Sequence, residues 1–196
     1  MAGSASAVTL DLLYEFDGNA NDGLTSFGTV DLVQDGAAVD VTITANTTNL
    51  VGGDIHEFYF NLPGAVDVNT LVLSDSGGVS NQAIGTFTLL GANPSITGGA
   101  GASFDTGVGF GNGGGPPGNG TLTTATFSLT ATGGLLVGDF LTELSSNNNT
   151  PDTFFAVHFQ SADVFNAGSE TVGHLPEPGS LALLGFGAMA ALRRRR

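Results

Sequence analysis

The chain has 196 residues with 18 acidic side chains, no lysine, and four arginines that are its last four residues, giving a formal net charge of −14. With no Lys or Arg before position 193, residues 1–192 lack the positive footprint that nucleic-acid binding needs, and within them the carboxylates have only three histidines as cationic partners. The absence of cysteine excludes disulfides, thiolate-held zinc, iron–sulfur clusters and thiol nucleophiles.

Taken from the N-terminus, Ala5-Ser6-Ala7 has the small-residue pattern of a signal-peptide cleavage site, with no apolar stretch ahead of it. Residues 1–7 are therefore read as the remnant of a signal-peptide end, and residues 8–174 as one exported domain. Val8, Leu10, Leu12, Tyr14 and Phe16 alternate with polar residues, the period of a half-buried strand. Val39, Val41 and Ile43 alternate in the same way. Phe58, Phe60 and Leu62 share one face opposite Glu57, Tyr59 and Asn61. Further strands are predicted at 30–33, 71–73, 86–90, 122–131 and 153–161. Turn signals such as Asp35-Gly36, Pro63-Gly64, Gly77-Gly78 and Gly133-Gly134 separate them. This pattern predicts an all-β chain folded as an antiparallel β-sandwich, jelly-roll or Ig-like. Residues 135–144 read as a short helix or turn crossing one end. The glycine-rich stretch 107–120, with Pro116-Pro117, is expected to be a loop that packs no core, and no lysine follows it to serve a phosphate.

Candidate chemistry is sparse. Asp17, Asn19, Asn21 and Asp22 place four oxygen-bearing side chains within six residues, as calcium loops do. The order departs from an EF-hand, because Asp22 stands at the glycine position and Gly28 at the bidentate glutamate position. The run also resembles the opening of laminin-G-like sandwiches over a few residues, and an Asx-rich hairpin turn is the alternative, since Asp, Asn and Gly are favoured there anyway. His158 alternates with Ala156 and Gln160, which reads as a hydrogen-bonded structural position. His56-Glu57 has no nucleophile paired with it. No G-x-S-x-G elbow is present, and 18 acids do not single out a pair for glycoside hydrolysis. The expectation is a protein that is not an enzyme and that has no cofactor unless calcium binds. Sugar platforms favour exposed Trp or Tyr, and the chain has no Trp and two Tyr; its 14 Phe read as core. Thr42, Thr44 and the threonines of 121–132 fit outward strand positions.

The C-terminus is the most legible segment. Pro176, Glu177 and Pro178 precede an uncharged run, 179–192, and then Arg193, Arg194, Arg195 and Arg196. As a helix the run would span about 21 Å, short of the roughly 30 Å hydrocarbon core. Snorkelling arginines and local thinning make up the difference. A transmembrane helix over 179–192 is therefore expected, with the arginines cytoplasmic.

This order of Pro-Glu-Pro, apolar run and arginine cluster resembles the PEP-CTERM sorting signal of exopolysaccharide-producing Gram-negative bacteria. The same tail is also called the ice-binding protein C-terminal domain, a name for the tail and not for an activity. The resemblance covers residues 175–196. It implies recognition by an exosortase, cleavage near the tripeptide, and a precursor in the inner membrane that ends at the cell surface or in the extracellular matrix. A sortase signal is the alternative, since Leu175-Pro176-Glu177-Pro178-Gly179 departs from LPxTG at Pro178, where the threonine would supply the cleaved bond. Asp139-Phe140-Leu141, Phe155-Ala156-Val157-His158-Phe159-Gln160 and Gly168-Ser169 also resemble ectodomains found ahead of such tails, which brings no activity with it. The expected function is an exported envelope or exopolysaccharide-matrix protein. The alternative is a calcium- or glycan-binding extracellular module.

Overall fold

The computed structural model describes residues 6–16, 25–50, 54–80, 85–96, 102–111, 122–145, 152–160 and 169–174. The candidate calcium ligands Asp17, Asn19, Asn21 and Asp22 lie outside the described residues. So do Pro176, Glu177, Pro178, the expected helix 179–192, and Arg193 to Arg196. Among the described residues no helix is long and apolar enough to cross a membrane.

Eleven strands appear among these residues: β1 (Ala7–Leu12), β2 (Tyr14–Glu15), β3 (Gly28–Asp35), β4 (Ala38–Ala45), β5 (Asp54–Phe60), β6 (Val72–Ser80), β7 (Thr88–Leu89), β8 (Thr106–Gly109), β9 (Leu122–Thr130), β10 (Phe155–Gln160) and β11 (Ser169–Gly173). They form two antiparallel sheets, ordered β1-β3-β4-β9-β6 and β2-β11-β10-β5-β8-β7. Period-two patterning aims one face of each sheet at a shared core. Val30 and Leu32 of β3 and Val39, Val41 and Ile43 of β4 meet Phe58 and Phe60 of β5 and Val157 and Phe159 of β10. Phe127 of β9 bridges the layers, with ring centroids 6.1 Å from Phe58 and 5.8 Å from Phe110. β3 and β4 join through Gly36-Ala37, and Gly36 takes φ +59°, which the first central position of a tight hairpin requires.

Four differences from the sequence reading have physical causes. The alternating run 8–16 divides at Leu13, so β1 belongs to one sheet and β2 to the other. The stretch 107–120 is not wholly loop: its first residues lie in β8, between β5 and β7, and Val108 and Phe110 are fully buried. The Gly-Val-Gly-Phe order sends the large side chains inward and leaves the outer face to glycine. Strand β6 runs well past residue 73, paired to β9 across a register shift between Ser74 and Gly77. Strand β11 lacks an apolar alternation strong enough to announce it.

Residues 135–144 form a 3-10 turn at Val137–Leu141. Gln34, near the end of β3, holds it: its amide donates to the Leu135 carbonyl (2.8 Å) and accepts from Val137 N–H (3.0 Å). Phe140 then seats in the core, 5.1 Å from the Phe60 ring centroid.

Candidate functional site

The outer face of the six-stranded sheet is not left to solvent. Tyr59 of β5 stacks on Phe104 at 6.0 Å and 18°, and Phe16, Ala102 and Ala156 complete a second apolar cluster there. Two residues further along the same face, β5 and β10 carry the most concentrated chemistry among the described residues.

Strands β5 and β10 pair regularly from Phe155↔Phe60 to His158↔Glu57, and then the register jumps to Phe159↔Ile55. His56 is the residue passed over, which makes His56-Glu57 a β-bulge opposite His158. In an unbroken strand His56 and Glu57 would point to opposite faces. The extra residue removes that opposition. Ile55 and Phe58 both stay fully buried on the core side, and the two polar residues between them both reach the outer face beside His158.

The resulting cluster is close and mostly dry. His158 is only 2% exposed, and its Nδ1 lies 3.2 Å from Glu57 Oε2. The Tyr59 hydroxyl donates to the same carboxylate oxygen. The His56 and His158 rings meet edge to face, 5.6 Å apart at 79°. One ligand-type atom from each of His56, Glu57 and His158 lies within 4.8 Å of the others. Burial by itself would raise the Glu57 pKa. The hydrogen bonds from His158 and Tyr59, and the nearby histidine charges, outweigh it and hold the carboxyl below its ordinary value of 4.5.

The expectation that His158 is hydrogen-bonded and faces away from Phe155, Val157 and Phe159 matches this geometry. The sequence reading did not join it to His56-Glu57. The available signal was Ile55-His56-Glu57-Phe58, two polar residues between two apolar ones, which breaks the strand period as a bulge does. Their union with His158 depends on a pairing across 101 residues.

Two other features are less concentrated. A shallow depression of about 220 Å³ is lined in part by Leu62, Asn93, Asp105 and Glu143. Both carboxylates are occupied by main-chain donors, Asp105 by Leu62 N–H (3.0 Å) and Glu143 by Gly64 N–H (3.2 Å). On the outer face of the five-stranded sheet, Thr42 pairs with Thr126 and Thr44 with Thr124, so the threonines noted in the sequence stand in cross-strand rows.

The fold therefore defines an all-β protein of two facing antiparallel sheets, followed by a C-terminal tail whose pattern is a sorting address. Residues 175–196 match the family model for the PEP-CTERM protein-sorting motif. The match identifies the tail as a PEP-CTERM sorting signal, which implies exosortase processing of a membrane-associated precursor and its delivery to the cell surface. No curated protein and no solved structure matches the chain.

Proposed function

We propose that this protein is a non-enzymatic component of the envelope or exopolysaccharide matrix of a Gram-negative bacterium, held in the inner membrane as a precursor until its tail is processed. The observation that carries the reading is the order within the matched tail: Pro176, Glu177 and Pro178, the uncharged run 179–192, and Arg193 to Arg196. The apolar run would hold the precursor in the bilayer, and the arginines would fix its orientation by staying cytoplasmic. The tripeptide would present the region to be cut. A structural rather than catalytic role is supported by how the carboxylates are used. Asp105 and Glu143 in the depression, Asp54 and Asp139 all accept main-chain hydrogen bonds. In the sandwich itself, the β4–β5 and β9–β10 segments run side by side through both sheets, a wrapping that favours the jelly-roll form over the Ig-like one.

The test is processing in a host that encodes an exosortase. Replacing Glu177 with Ala, or deleting Arg193 to Arg196, should leave uncleaved precursor in the inner-membrane fraction on an immunoblot. Processing at the unaltered rate in both variants would overturn the reading.

A further inference from the structure

We propose that His56, Glu57 and His158 bind a divalent transition-metal ion of the zinc class on the outer face of the six-stranded sheet. Nothing in the sorting tail bears on this site, so the proposal stands apart from the sorting function.

The first observation is the donor set. Two imidazoles and one carboxylate suit zinc and its first-row neighbours, whereas calcium and magnesium take oxygen ligands. Ligand atoms around a tetrahedral ion at about 2.0–2.1 Å stand about 3.3–3.4 Å from one another. His158 Nδ1 and Glu57 Oε2 are already 3.2 Å apart. The whole set lies within 4.8 Å.

The second observation is independent of composition. Nε2 of His56 and Nε2 of His158 are both buried, and neither has a hydrogen-bond partner among the described residues. Leaving a buried polar atom unsatisfied carries its full desolvation cost, and native interiors hold few such atoms without a reason. The Glu57–His158 hydrogen bond leaves His56 Nε2 unexplained, and because an ion held through His158 Nδ1 cannot also take that ring's Nε2, His56 Nε2 is the atom that the ion would satisfy. Gln160 Oε1, two residues from His158 and on the same side of β10, is likewise buried and without a partner. The third observation is the bulge at His56-Glu57. It brings to one face two side chains that a regular strand would separate, a device that recurs beside functional sites. With three protein ligands an ion keeps a further position open, and Glu57, 19% exposed against 2% for His158, lies on the side that solvent reaches.

The experiment uses the full chain, purified without a polyhistidine tag and stripped with chelator. Cobalt(II) is the spectroscopic probe and zinc(II) the competitor. One cobalt per chain should give visible d–d absorption, and one equivalent of zinc should bleach it. His56→Asn and Glu57→Gln should each weaken binding by more than the ~10–100-fold that loss of an outer-shell partner costs. Zinc should raise the melting temperature of the parent protein and not that of H56N. Circular dichroism in chelator checks that each variant keeps its sheets, and His56 and Glu57 are both only partly buried, unlike His158. The proposal is overturned if the parent chain gives no stoichiometric cobalt spectrum. It is also overturned if folded H56N and E57Q bind zinc as tightly as the parent, or if calcium displaces the cobalt as readily as zinc does.

Discussion

At the scale of single residues, the chain meets an unusual constraint: its acids must be satisfied without lysine or arginine. Hydroxyls and main-chain amides take that part. Thr9 donates to Asp31, Ser26 to Asp11 (3.1 Å), Ser128 to Asp40 (2.6 Å) and Tyr59 to Glu57. Asp54 accepts from Leu122 N–H at 2.7 Å in a buried setting. His158 Nδ1 stands 3.2 Å from Glu57 Oε2, an ion pair when the imidazole is protonated. Glu57 has a lowered pKa in the folded state, so it contributes stability that is present above its ordinary value of 4.5. That stability is lost as pH falls through the lower folded value. In chelator, E57Q should therefore melt below the parent at pH 7, by roughly 1 kcal/mol or about 2–4 °C for a chain of this size. The gap should close as the melts are repeated below pH 4.5. A gap independent of pH would count against a charged carboxylate as its source.

At the scale of elements, strand β8 illustrates how a glycine-rich sequence builds a sheet interior. Gly107 and Gly109 face the outer side, where Leu90 lies across them. A Cβ added at Gly107 would stand 2.6 Å from the Phe58 carbonyl oxygen and 3.1 Å from both Leu90 and Tyr59. The carbonyl belongs to the ladder and cannot rotate away. G107A should destabilise by about 1–3 kcal/mol in a denaturant melt, the usual cost of overpacking. Gly77, on β6, has open space around its Cβ position, so G77A should fall within roughly 0.5 kcal/mol of the parent. Equal effects at the two sites would refute the packing argument. The bulge in β5 is the other element-scale device. Its signature, apolar-polar-polar-apolar over residues 55–58, was present in the sequence. The residue it serves, His158, was not identifiable from local pattern, because strand partners are chosen by the sheet as a whole.

At the scale of the whole molecule, net charge dominates. A chain of charge −14 whose arginines all sit in its last four positions leaves a folded body with acids and no Lys or Arg. Like charges on a compact body repel, and added salt screens them over a Debye length that falls from about 30 Å at 0.01 M to 10 Å at 0.1 M. Raising sodium chloride from low to moderate concentration should therefore raise the melting temperature. A melting temperature that falls with salt would mean attractive pairs outweigh the repulsion. If processing removes the tail, the four positive charges leave with it and the exported body carries only acids. On the proposed function, the arginines would act as an address and the acidity would belong to the product.

Some of this was determined by the sequence alone. The period-two runs, the glycine and aspartate turns and the 14 phenylalanines dictate an all-β chain, because alternation and turn chemistry are local properties. The tail is legible for the same reason, since proline, apolar run and arginine cluster act in linear order and match a family model as they stand. Tertiary structure alone decided the division of 8–16 between two sheets, the burial of Val108 and Phe110, and the meeting of His56, Glu57 and His158. Each of those depends on which strand lies beside which. That choice is made by cross-strand packing and register between residues far apart in the chain, 101 positions in the case of Glu57 and His158, where no local period reaches.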